Sequence, residues 1–172
     1  PRLSVVGIRT RGAAYGLHAR TRLALAKHLP TRDEVHFALF QPPPRDAPEG
    51  GLASLGSGAL LPLPGHPFDI DGRHVVVIDA VIRTGRTALA AVLAVLAAGR
   101  PASVRLGCLV DAGGRLLPIH PDALGLTLAL GPHDRLHVMA EKIDGVAANY
   151  LDGPIGAPDT VVSEPPGAAP PG

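Results

Sequence analysis

The chain has 172 residues, a formal net charge of +1 and 46% hydrophobic residues; that allows one domain with a real core and is too balanced to demand a polyanionic partner. Two Tyr, three Phe and no Trp make that core aliphatic, and the single cysteine, Cys108, excludes an intrachain disulfide or a cysteine metal site and reads as inert core. No apolar stretch reaches the ~18 uncharged residues of a membrane span and no signal peptide is read, so a cytoplasmic protein is expected.

Leu3–Ile8 reads as a first buried strand, entered so soon after Pro1 that a preceding helix is expected outside the sequence. Arg9–Gly12 is a polar loop, and residues 13–29 read as a helix with Ala13, Ala14, Leu17, Leu25 and Leu29 on its buried side, ended by Pro30. Val35–Phe40 is a second strand. Residues 41–67, rich in proline and glycine, predict a long irregular loop. Phe68–Gly72 is a turn with Gly72 at positive φ. Val75–Ile78 is a third strand that stops at Asp79, and a short loop leads to a helix over 84–98 closed by Gly99 and Pro101. Val104–Val110 is a fourth strand, Asp111–Arg115 a turn and Leu136–Ala140 a fifth strand. The domain is expected over 1–152, with a Pro/Gly/Ala-rich tail over 153–172. Apolar strands alternating with helices predict an α/β fold with a mostly parallel twisted sheet flanked by helices. Ligands bind such sheets beyond the carboxyl ends of the strands, where the loops 9–12, 79–87 and 111–115 all emerge.

The most informative stretch is Val-Ile-Asp-Ala-Val-Ile-Arg-Thr-Gly-Arg-Thr, residues 77–87. A helix N-terminus carries unpaired N–H groups and partial positive charge, so the turn Thr84-Gly85-Arg86-Thr87 suits a phosphate. Asp79 just before it suits a sugar hydroxyl. The plainer alternative is an ordinary helix with Thr84 as its N-cap. Residues 1–32 hold Arg2, Arg9, Arg11, Arg20, Arg22, Lys27 and Arg32 and no acid. Such a stretch suits phosphates or RNA, or is a solvated helix face. The histidines read as scattered surface positions, and neither H-E-x-x-H nor G-x-S-x-G occurs; no protein-held metal is expected.

Asp79–Thr87 closely resembles the phosphoribosyl pyrophosphate motif of type I phosphoribosyltransferases. With Val6–Gly12, Pro67–Gly72, Leu109–Asp111, Leu117–Ile119 and Glu141–Gly145 in the same order, the chain resembles the PyrR family over roughly residues 5–151. The resemblance implies the type I phosphoribosyltransferase fold and a uracil phosphoribosyltransferase that also attenuates pyrimidine operons. It implies that Asp79 binds a ribose hydroxyl, that Thr84, Gly85, Arg86 and Thr87 cradle the 5′-phosphate, and that Thr10, Arg11 and Gly12 bind pyrophosphate. Asp111, Gly113 and Arg115 would meet the base, and Arg20, Arg22 and Lys27 would face RNA. The implied ligands are phosphoribosyl pyrophosphate or UMP and UTP, with Mg2+ held on substrate oxygens; the implied partners are a pyrimidine-operon mRNA and further copies of the chain.

The chain departs from that family at the second acid, which is Ala80; at Ala112 and Gly114, where Arg and His are usual; and at Gln41–Asp46, where the family has a charged flexible loop. A lost hydrogen bond between a charged group and a hydroxyl costs ~1.5–3 kcal/mol, or about 10- to 150-fold in rate. Three readings stay open: a nucleotide-responsive RNA-binding regulator with weak or lost activity, a working phosphoribosyltransferase, and a catalytically retired relative with an interaction role.

Overall fold

In a computed structural model of the chain, the structure describes residues 2–8, 35–42, 58–63, 68–130, 135–138, 149–152 and 160–163. The strands are β1 (Leu3–Ile8), β2 (Val35–Gln41), β3 (Ala59–Pro62), β4 (His74–Ile82), β5 (Ser103–Asp111), β6 (Ala123–Thr127), β7 (Arg135–Val138), β8 (Asn149–Asp152) and β9 (Thr160–Ser163), and the helix α1 spans Arg86–Ala98. The expected helix over 13–29 lies outside the described residues.

Six strands form one sheet in the order β3-β2-β1-β4-β5-β6. All neighbours are parallel except β3, which runs antiparallel to β2. The expected mostly parallel α/β sheet is therefore present. Its β-branched strands bury both faces, as parallel strands must. Successive side chains alternate between those faces. Val6, Ile8, Phe40, Val75, Val77, Leu106 and Cys108 pack on α1 through Ala88, Ala90, Ala91 and Val95. Val5, Val35 and Phe37 form a second cluster with Leu3 and Ile78. A separate three-stranded antiparallel sheet has the order β7-β8-β9.

The structure differs from the sequence reading in four places. β3 lies inside the segment read as irregular. It is a four-residue edge strand, where Pro62 is tolerated because no ladder N–H is needed on the open side. No element was expected at β6, where Gly125 interrupts a short apolar pattern. Its start is fixed by Asp122, which accepts from the Leu106 N–H at 2.8 Å and pairs with Arg105 at 2.6 Å. β9 lies within the stretch expected to be a tail. The fourth difference concerns β4. It pairs with β1 as far as Gly7–Ile78 and with β5 as far as Ile82–Asp111. The strand therefore continues past Asp79 to Ile82, held from one side.

At the amino edge of the sheet a polar network ties the strand starts together. The Ser4 hydroxyl donates to the Asp69 carbonyl at 2.7 Å, and buried Arg73 donates to Ser4 Oγ and the Leu3 carbonyl, both at 2.9 Å. Asp69 accepts from the Ile70 and Asp71 N–H groups. These bonds hold its carboxyl below the usual carboxylate range. The Arg73 N–H closes a turn on the Ile70 carbonyl at 3.0 Å, with Gly72 at φ 65°, as its sequence position predicts.

Candidate functional site

β1 leads toward β2 on one side and β4 toward β5 on the other, so the switch point of the sheet lies between β1 and β4. Open α/β sheets hold ligands at the carboxyl end of such a point. The chain leaves β1 at this edge immediately before Arg9. Thr10, Arg11, Gly12, Arg20, Arg22 and Lys27 lie outside the described residues.

Asp79 sits within β4, level with Cys108 on β5. It is only 2% exposed, and one carboxylate oxygen accepts from the Ala80 N–H at 2.8 Å. Burial pushes its carboxyl up to about 7, against the pull of the Ala80 and Val81 N–H groups. Burial and the Asp79 charge push the Cys108 thiol up to about 11; Cys108 is the inert core residue expected. Ala80 is itself buried.

The helix begins at Arg86. Its N-cap is Gly85, at φ 87°, and no side chain caps it. Thr84 is therefore not the N-cap; its hydroxyl only receives a long bond, 3.4 Å, from the Arg86 N–H. The physical reason is Gly85: a left-handed residue there turns the chain one position later than Thr84 capping requires. No acid stands in the first turn, so the helix does not neutralise its own positive end. Arg83, Thr84 and Arg86 are exposed around it.

The loop after β5 folds onto this turn. Asp111 accepts from the Gly113 N–H at 3.0 Å and from Arg115 Nη2 at 2.6 Å. Gly113 and Gly114 both adopt positive φ, which brings Arg115 back beside Asp111. Arg115 Nη1 also donates to the Arg83 carbonyl. The Ala112 N–H donates to the Ile82 carbonyl at 2.9 Å, and the Leu116 and Leu117 N–H groups both donate to the Thr84 carbonyl at 3.1 Å. The structure thus brings Thr84, Gly85, Arg86 and Thr87 next to Asp111, Gly113 and Arg115. Asp79 lies beneath them, closed to solvent. Two features were given no site role in the sequence reading: Arg83, whose carbonyl is a fixed point of the turn, and Leu117 and Ile119, whose Cβ atoms line the space beside Gly85. The Arg before T-G-R-T was the one available signal.

Among the described residues, no three carboxylate, histidine or cysteine side chains converge as a metal site, and no helix is long and apolar enough to cross a membrane.

Residues 4–162 match the phosphoribosyl transferase domain family. The chain is 35% identical over 144 residues to the Bifunctional protein PyrR of Synechococcus sp. (strain JA-2-3B'a(2-13)), covering 83% of this chain and 74% of that protein. It is 35% identical over 147 residues to the Bifunctional protein PyrR 1 of Lactiplantibacillus plantarum, covering 83% and 77%. A 73-residue stretch is 49% identical to the Bifunctional protein PyrR of Pseudomonas paraeruginosa; it covers 42% of this chain and only 43% of that relative. Among solved structures, a hypoxanthine phosphoribosyl transferase of Trypanosoma cruzi shares the fold with a TM-score of 0.55 at 20% identity, over 75% of this chain and 61% of that one. A ternary substrates complex of a variant of the T. cruzi enzyme gives 0.54 at 23%, over 78% and 65%. The chain belongs to the phosphoribosyltransferase domain family and, within it, to the PyrR family.

Proposed function

We propose that the chain is a PyrR-type regulator of pyrimidine nucleotide synthesis. It holds a uridine nucleotide or phosphoribosyl pyrophosphate at the carboxyl edge between β1 and β4, binds an mRNA leader in response, and retains at most weak uracil phosphoribosyltransferase activity. One observation carries the reading: the Thr84–Thr87 turn opens an uncapped helix N-terminus whose preceding carbonyls are tied away. Such a terminus receives an anion through N–H groups and dipole together. Thr10, Arg11 and Gly12 would hold pyrophosphate, and Arg20, Arg22 and Lys27 would meet RNA as part of a homo-oligomer.

In the reaction a bond forms from uracil nitrogen to the ribose anomeric carbon while the bond to pyrophosphate breaks, and the proton on that nitrogen leaves to water or the released pyrophosphate. Charge develops on the sugar, and the protein's contribution is to position the reactants and stabilise that charge. Mg2+ would be held on the substrate and would supply charge neutralisation of the pyrophosphate oxygens. Low turnover follows from two features. Ala80 cannot bind a hydroxyl. Asp79 must give up its Ala80 N–H bond and its burial before it can.

Calorimetry with UMP tests the site, and pyrophosphate release with uracil tests turnover. UMP binding with weak turnover is expected. Ala80→Asp should raise turnover about 10- to 150-fold, the value of one charged hydrogen bond, and lower Tm because position 80 is buried. Turnover near zero in both forms ends the enzyme reading, and no binding of UMP ends the site reading. Retention of a pyrimidine-leader hairpin on filters, with and without UMP at two salt concentrations, tests the RNA step.

A further inference from the structure

We propose that Asp111 and Arg115 position the phosphate-binding turn rather than read the base, an inference that rests on the ligand site proposed above. A turn that binds phosphate must aim N–H groups at the ligand. A peptide group is planar and trans, so its N–H points opposite to its carbonyl. Fixing a carbonyl therefore aims the following N–H the other way. Three consecutive carbonyls are fixed here. The Ala112 N–H holds that of Ile82, and the Leu116 and Leu117 N–H groups hold that of Thr84. Arg115 Nη1 holds that of Arg83 between them. The N–H groups of Arg83, Thr84 and Gly85 are thereby aimed away from the 112–117 loop.

Arg115 supplies the only side-chain donor among these restraints, and it is held in turn. Its Nη2 meets Asp111 at 2.6 Å, and the other Asp111 oxygen takes the Gly113 N–H. The pair is mostly buried, with 15% and 18% of the side chains exposed. A charge-assisted pair at such a place is rigid as well as strong. Arg115 also lies against Gly85: a Cβ there would be in ordinary van der Waals contact with Arg115 Cδ, at 3.6 Å, so it is the φ of 87° that calls for glycine. The rival role, a direct contact with the base, would use the Arg115 Nε–H, which is buried and has no partner among the described residues.

The two roles separate when ligands with and without a base are compared. Calorimetry of the full chain with ribose 5-phosphate and with UMP, on the parent, Arg115→Met, Asp111→Asn and the double variant, makes the comparison. The positioning role predicts that each single variant weakens both ligands by the same factor, about tenfold, equivalent to 1.4 kcal/mol. The double variant should be no worse than either single one, because the two residues act as a unit. Arg115→Lys should recover only part of the loss, since an ammonium has no fork to span both partners. It also serves as the probe if Arg115→Met unfolds the chain. Loss confined to UMP overturns the proposal in favour of base contact. Unchanged affinity in folded variants overturns it and leaves the site reading standing. Full recovery in Arg115→Lys overturns it in favour of simple charge attraction. A parent that binds neither ligand overturns both readings.

Discussion

The two edges of the main sheet hold similar residues in opposite states. At the amino edge Asp69 collects N–H groups in contact with water, and its carboxyl is held low. At the carboxyl edge Asp79 collects an N–H group under the α1 side of the sheet, and burial pushes it up to about 7. Each edge has a left-handed glycine, Gly72 in one turn and Gly85 in the other. The amino edge ties its donors into the fold through Ser4 and Arg73. The carboxyl edge ties its carbonyls back and leaves a helix terminus uncapped. The contrast teaches that polar groups at a strand end serve stability when their bonds close on the chain and serve binding when donors are left over.

The largest effect that sharpens this contrast concerns Asp79. Its native value of about 7 lies above the ordinary 3.8, so the native state binds more protons between them. Stability should be greatest below about pH 4, fall through pH 4–7 and level above 7, by up to about 4 kcal/mol at 1.36 kcal/mol per unit. Asp69 acts in the opposite sense: its contribution is present above its ordinary value and lost as pH falls. Urea melts across pH should show that Asp79→Asn flattens the fall and is more stable than the parent at pH 8. Parallel curves for the two proteins would remove the burial argument.

Next is Arg73→Met, which leaves the Leu3 carbonyl and Ser4 without their buried donor. A loss of roughly 3 kcal/mol is expected from two unsatisfied groups, with UMP affinity unchanged. If affinity falls with stability, the edges are not independent. The smallest effect compares Gly72→Ala with Gly85→Ala. Both force a side chain into the left-handed region and should cost about 1–2 kcal/mol in thermal melts. Only Gly85→Ala should also weaken ribose 5-phosphate.

The legible elements were those whose cause is local. Val75–Ile78 is a continuous branched run, Gly72 sits where a turn needs positive φ, and Gly99 ends α1. β3 and β6 owe their existence to neighbours distant in sequence. β3 leans on β2. β6 needs Asp122, just before it, to accept from Leu106 on β5, and Gly125, where a Cβ would come within 2.5 Å of the Leu109 carbonyl. The extension of β4 past Asp79 has the same origin, since β5 outlasts β1 as its partner. At the site, T-G-R-T was readable because a turn and a helix start are written in adjacent residues. The Asp111–Arg115 pair was readable as a motif but not as a brace, because its target is a backbone carbonyl 32 residues away.

α1 has no means of standing alone. From Ala88 to Ala98 it carries only Ala, Leu and Val, with no acid in its first turn and no base in its last. A helix of this length is marginal in water by itself. It is held by the burial of Ala88, Ala91 and Val95 against the sheet. Its open N-terminus therefore exists only while the whole core is folded. An anion bound there would supply the cap that the chain withholds. Occupancy and global stability then become one equilibrium, with each ligand concentration setting its own melting temperature.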